Sequence, residues 1–276
     1  MSPPNQPKVL LFDIGGVCVK SPFQVILNYE VSLGIPPGWV NYSISRTAPH
    51  GSWHKVERGE MTIDKDFYKA FNQDLHDTAR WQDFYRREQA KNPKLLPEEV
   101  PQLPDVDGEW LFETMMSSSN SPDPWMFPAL QRLKASGRYI LAALSNTVVF
   151  PPGHALHRED YFDDPVRSIF DVFVSSAHVG LRKPDPAVYQ LALELVNKNA
   201  KSRGLPDVAP SDVVFLDDIG ENLKQAKNQG FRTIKVHLGK AYEAVDELEK
   251  ITGLQLAGSH PKVPSDRDTV EVKAKI

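Results

Sequence analysis

Short apolar runs that stop on a polar residue recur along this chain. Val9 to Phe12 is closed by Asp13 and turned by Gly15 and Gly16, Tyr139 to Leu144 runs into Ser145-Asn146-Thr147, and Val213 to Leu216 runs into Asp217-Asp218. Runs this short, bounded by turn formers, predict strands buried on both faces of a parallel sheet. Helical spacing fills the gaps between them. Pro124 to Lys134 predicts a helix opened by Asp123 and closed near Gly137. Ala187 to Val196 places Val188, Leu191, Ala192 and Leu195 on one face. Asn222 to Lys227 ends at Gly230 before a strand over Thr233 to Val236, and Ala241 to Ile251 turns Ala244, Leu248 and Ile251 inward. Strand and helix alternating through right-handed crossovers give an α/β fold with a Rossmann-like parallel sheet.

The first strand is separated from the second by a stretch with no strong strand pattern, too long for a loop and therefore expected to be an inserted domain. Its helical pieces are Phe23 to Leu33, Ile63 to Leu75, Thr78 to Gln89 and Glu109 to Met116, joined by turns at Ile35-Pro36-Pro37-Gly38 and Pro93 to Pro104. The expected organisation is a core of residues 1–19 and 121–257, a helical cap domain of residues 20–120, and a polar tail over 258–276. A cap entered from the end of the first strand would hang over the carboxyl edge of the sheet, where open α/β folds hold ligands.

Composition narrows the function classes. The chain has 276 residues, 41% hydrophobic and 25% charged, with a formal net charge of −4. That balance gives no electrostatic reason to expect nucleic acid as a partner. No apolar run is long enough to span a bilayer, and Met1-Ser2-Pro3-Pro4-Asn5 lacks a secretory pattern. The single cysteine, Cys18, reads as a small buried packing residue, and a cytoplasmic location is expected. The terminal Ala274-Lys275-Ile276 is a near variant of the Ser-Lys-Leu peroxisomal address, which sets a peroxisomal alternative beside it.

The polar residues that close the strands carry the chemistry. Asp13 offers a carboxylate, Ser145 and Asn146 a hydroxyl and an amide, Lys183 in Gly180-Leu181-Arg182-Lys183-Pro184 a fixed cation, and Asp217-Asp218 a second acidic pair. This set suits phosphoryl transfer at a metal ion. Its order resembles the haloacid dehalogenase superfamily, which is mostly phosphatases. Gly34 to Gly38, Arg58 to Thr62, Val213 to Leu223 and Asp246 to Gly253 narrow the likeness to the N-terminal phosphatase domain of soluble epoxide hydrolases and the related domain of acyl-CoA dehydrogenase family proteins. The resemblance reaches to about Leu256, and with no second catalytic domain in the sequence given, epoxide hydrolysis is not expected.

The resemblance implies Asp13 as the nucleophile that forms an aspartyl phosphate, with Mg²⁺ held by Asp13, the Gly15 carbonyl and Asp218, and with Asp217 beside them. It implies Ser145 and Asn146 as ligands of the phosphoryl oxygens and Lys183 as the cation that stabilises Asp13 and phosphate. Asn222 is a candidate brace for the metal site. The expected substrate is a small or lipid-like phosphate monoester, with Trp39, Trp53, Phe67 and Phe71 as candidates for a greasy cap lining, although aromatics at such spacing more often form helical core. One position departs from the pattern: most members carry an acid-base aspartate where this chain has Gly15. His50, His54, Glu60 and His178 are candidate substitutes. The alternatives are a metal-independent dehalogenase, against which the Asp217-Asp218 pair argues, and a phosphate-ester-binding or regulatory protein of low turnover, which Gly15 favours.

Overall fold

The computed structural model describes residues 6–119 and 121–264; the terminal Ala274-Lys275-Ile276 lies outside them. Five strands, β1 (Val9–Phe12), β2 (Ile140–Ser145), β3 (Val172–Ser175), β4 (Val213–Asp217) and β5 (Arg232–Lys235), form one sheet in the order β3-β2-β1-β4-β5. Every pairing is parallel. The register sets Phe12 level with Ala143 on one side and Leu216 on the other. Asp13, Ser145 and Asp217 therefore emerge together at the carboxyl edge. The connections run outward from β1 to β3 and then return to the far side of β1, so this edge is also the point where strand order reverses.

Pattern dictates packing. β1, β2 and β4 are buried at every position. Alternate residues serve opposite faces: Leu10, Phe12, Leu141 and Leu216 pack with helices α7 (Met126–Ser136) and α11 (Ala241–Thr252). Val9, Leu11, Ala142 and Phe215 pack with α9 (Pro186–Ser202) and α10 (Gly220–Asn228). Carboxylates start two of these helices, α7 and α9. Asp123 accepts from Trp125 and Met126 backbone N–H groups at 3.0 and 2.9 Å, and Asp185 accepts from Ala187 N–H at 2.8 Å. Such caps contribute about 1 kcal/mol each.

Between β1 and β2 lie α1 (Phe23–Ser32), α2 (Trp39–Arg46), α3 (Ser52–Glu57), α4 (Lys65–Leu75), α5 (Thr78–Lys91) and α6 (Gly108–Ser118). They share an apolar cluster that includes Trp39, Phe67, Phe71 and Phe112. The elements that sequence periodicity did not predict are α2, α3, β3 and the one-turn helix α8 (Ser176–Val179). A further surprise is residues 146–171, mostly irregular, from which Val148 and Phe150 pack against the cluster of the helical insertion. The start of the expected tail lies on the core, with the Pro261 carbonyl accepting from Trp125 Nε1 at 2.9 Å. No helix among the described residues is long and apolar enough to cross a membrane.

Candidate active site

The strand ends converge on Lys183. Its ammonium lies 2.8 Å from Asp13 Oδ2 and 2.7 Å from Asp217 Oδ2, and it is only 1% exposed. Burial opposes its charge, yet Asp13 and Asp217 outweigh burial and hold its pKa above the ordinary lysine value. The main chain of Lys183 is fixed too. Its N–H donates to Asn146 Oδ1 at 2.8 Å, and its carbonyl accepts from Asn146 Nδ2 at 3.1 Å. Asn146 thereby ties the end of β2 to the lysine loop, an arrangement not foreseen from the sequence.

The acidic residues divide by role. Asp217 is fully buried and committed: it also accepts from Ile219 N–H at 2.7 Å and from Asn222 Nδ2 at 3.1 Å on both oxygens. Asn222 thus braces Asp217. Asp13 Oδ1 accepts from Ile14 N–H at 2.7 Å. Burial, reinforced by the charge of Asp217 and opposed by Lys183, pushes the Asp13 carboxyl up to about 6. Asp218, half-buried, is pushed well above the usual carboxylate range by burial and then by the charges of Asp13 and Asp217. One oxygen from each of the three lies within 4.8 Å of the others. Cys18 is buried, donates to the Asp13 carbonyl at 3.1 Å, and has its thiol pushed up by burial and by Asp13 and Asp123, which makes it inert.

The two glycines of the turn have different causes. Gly16 has φ +76°, and a Cβ there would meet Asp218 Oδ2 at 2.8 Å, so only glycine fits. Gly15 has no positive φ, and a Cβ there would meet nothing within 4 Å. Its place at the cavity wall is open.

Above these groups lies a cavity of about 830 Å³. Asp13, Gly15, Ser145, Lys183 and Asp218 form its floor. Phe23, Ile26, Trp53 and Met115 of the insertion, with Val148, Phe150 and Leu156 of the 146–171 segment, give much of the rest an apolar surface, interrupted by polar groups such as Asn41, Arg158 and Glu159. Of the four aromatic residues expected there, Trp53 alone lines the cavity; Trp39, Phe67 and Phe71 are fully buried among the insertion helices. His50 and Glu60 are exposed and His54 is buried outside the lining, while His178 borders the cavity with Nδ1 2.7 Å from Ser175 Oγ.

Two links hold insertion and sheet together beside the cavity. Glu57 Oε2 accepts from Arg182 Nε at 2.7 Å and lies 2.7 Å from its Nη2, and Arg182 is next in sequence to Lys183. Gly59 lies so close to the Ala177 carbonyl that a Cβ would come within 2.2 Å. Neither Glu57 nor Arg182 has a signal in the sequence beyond lying near quoted motifs.

The family profile of haloacid dehalogenase-like hydrolases matches residues 7–230. The chain is 38% identical over 264 residues to bifunctional epoxide hydrolase 2 of Mus musculus, covering 95% of this chain and 42% of that protein. It is 29% identical over 261 residues to acyl-CoA dehydrogenase family member 10 of the same organism, covering 94% of this chain and 20% of that protein. The chain therefore spans well under half the length of these relatives. A third similarity, 27% over 132 residues, is to the sesquiterpene phosphatase astK of Aspergillus oryzae, covering 48% of this chain and 58% of that one.

Proposed function

The chain belongs to the haloacid dehalogenase-like hydrolases, and from that premise we propose that it is a Mg²⁺-dependent phosphatase hydrolysing a small or lipid-like phosphate monoester through an aspartyl phosphate on Asp13. The observation that carries this reading is three clustered carboxylates facing one ammonium. Asp13 and Asp218 are both driven toward their neutral forms in a chain without metal. Such surplus negative charge with oxygen donors fits a hard divalent cation. Asp13, Asp218 and the Gly15 carbonyl would hold it, and Asp217, already committed to Lys183 and Asn222, would stand outside its ligand shell. Bound there, the ion would offset the repulsion between a carboxylate and a phosphate dianion.

The protein's own groups then have defined tasks. Lys183 keeps Asp13 ionised and aimed by ion pairing, and adds positive charge where phosphoryl oxygens gather. The Asn146 amide has one hydrogen committed to Lys183 and its second remains to bind those oxygens; the Ser145 hydroxyl, which donates to the Asn146 carbonyl at a long 3.4 Å, would turn to them. Asp13 attacks phosphorus, and the leaving group departs into the apolar cavity. The name of the Aspergillus relative supports phosphate as the reacting group, and the apolar lining supports a greasy substituent. The same reading treats residues 1–19 and 121–257 as the core domain and 20–120 as a cap that excludes water.

Phosphate release from an alkyl or aryl phosphate in Mg²⁺ tests the proposal. Chelation and Asp13→Asn are each expected to lower the rate roughly 10³-fold or more, the scale of removing a nucleophile. Activity that survives chelation on a haloacid favours the dehalogenase alternative. Tight ester binding without release favours a binding protein.

A further inference from the structure

Gly15 is the one floor position where a side chain is sterically free to stand and none does. The backbone there requires no glycine, a Cβ would meet nothing within 4 Å, and the position borders the cavity beside Asp13. Of the polar side chains around Asp13, Asp218 is the proposed cation ligand and most of the others are engaged. Lys183 is shared between Asp13 and Asp217, Asp217 is saturated by Lys183, Ile219 and Asn222, and the thiol of Cys18 points to the Asp13 carbonyl. Ser145 has a hydroxyl, which is no acid in the working pH range. Higher in the cavity and away from Gly15, Glu57 is paired with Arg182, His157 and His178 are held through Nδ1 by the Phe150 carbonyl at 2.7 Å and by Ser175 Oγ with Nε2 left over, and Glu159 also lines the wall. The floor stabilises negative charge on phosphorus and, at Gly15, places no side-chain acid beside Asp13 for the oxygen that leaves.

That asymmetry selects substrates by leaving group. An alkoxide is the base of an acid near water's pKa of about 15.7 and departs poorly unless protonated. A carboxylate, from an acid of pKa about 4, or a phosphate, with a second pKa about 6, departs as the anion. We infer that this site, if it works as the phosphatase proposed above, takes activated phosphates carried on an apolar body: acyl, enol or aryl phosphates, or the terminal phosphate of a diphosphate. For an acyl phosphate, Asp13 Oδ attacks phosphorus, the phosphorus–oxygen bond to the acyl group breaks, and its electron pair leaves as carboxylate. Charge is conserved with no proton moved. Water then adds to the phosphorus of the aspartyl phosphate, whose own leaving group is the Asp13 carboxylate, and both water protons remain on the product as dihydrogen phosphate.

A leaving-group series tests this in the full chain with Mg²⁺. Phosphate release would be measured for octanoyl, para-nitrophenyl, phenyl and octyl phosphates, with Asp13→Asn as the background. The expected result is an octanoyl rate above the octyl rate by roughly 10³-fold or more. Gly15→Asp should shrink that octanoyl-to-octyl ratio by roughly 10²- to 10⁴-fold, the range a positioned general acid supplies. A parent enzyme that hydrolyses octyl phosphate as fast as octanoyl phosphate overturns the inference, as does a folded Gly15→Asp with an unmoved ratio. If Gly15→Asp does not fold, the parent series decides. Release that depends on Asp13 but is flat across the series defeats the leaving-group inference alone. Release no faster in the parent than in Asp13→Asn defeats the phosphatase reading beneath it.

Discussion

The floor and the roof of the cavity are built on opposite principles. The floor gathers Asp13 and Asp218 at strand ends whose register is fixed by the sheet, with Lys183 pinned to Asp13 and to the buried Asp217 behind it, so a dense set of charges is rigidly held. The roof is mostly apolar and assembled from helices of the insertion and the irregular 146–171 segment, which meet through side-chain packing and the His154–Glu113 pair. The difference assigns chemistry to the floor and selection to the roof. Changes to the floor should alter turnover, and changes to the roof should alter which substrates bind.

Lys183→Met should have the largest effect. It leaves Asp13 and Asp217 buried without their cation, which costs about 3–5 kcal/mol in comparable pairs. Denaturant unfolding of the metal-free protein should show that loss, and kcat should fall for every substrate. A variant with changed KM alone would break the division between floor and roof. Trp53→Ala should act on the other side: losing apolar contact worth about 1–3 kcal/mol raises KM for a long-chain phosphate roughly 10-fold or more, with a short-chain phosphate little affected. Equal changes for both chain lengths would show that Trp53 does not select.

The smallest expected effect comes from a buried carboxylate that lies away from the floor. Glu30 accepts from Gly38 N–H at 2.7 Å and Val40 N–H at 2.8 Å, fixing the entry to α2. Burial pushes its carboxyl up to about 7, against the opposing pull of those two N–H groups. Because the folded pKa lies above the ordinary value, its stabilising contribution is complete at acid pH and is lost as pH rises through about 7. Unfolding free energy should therefore fall by about 1 kcal/mol per pH unit between about pH 5 and 7 and level off above that. Glu30→Gln should flatten that slope; an unchanged slope would remove Glu30 as its source.

Legibility in the sequence follows the same division. β1, β2 and β4 were readable because each is wholly apolar and stops on the residues that form the floor. The glycines, Lys183 and the acidic pair were readable from position in those turns. β3 escaped because it lies at the sheet edge, is half-buried at Val172 and Phe173, and begins after Asp171, whose carboxylate accepts from Leu141 N–H at 3.0 Å. Helices α2 and α3 are too short for a 3.6-residue period to declare itself. The 146–171 wall and the Glu57–Arg182 link depend on contacts between distant segments, which local pattern does not encode. Aromatic character alone does not separate core from lining: Trp39, Phe67 and Phe71 serve the core of the insertion, the commoner role at helical spacing, and Trp53 lines the cavity.

The central claim is that the floor makes Asp13 a nucleophile toward phosphorus. Rapid acid quench during turnover of an acyl or aryl phosphate with Mg²⁺, followed by peptide mass spectrometry, tests it most directly. A phosphoryl group on the peptide containing Asp13, absent in Asp13→Asn, is the predicted result. Steady release of phosphate with the adduct on another residue would contradict the claim.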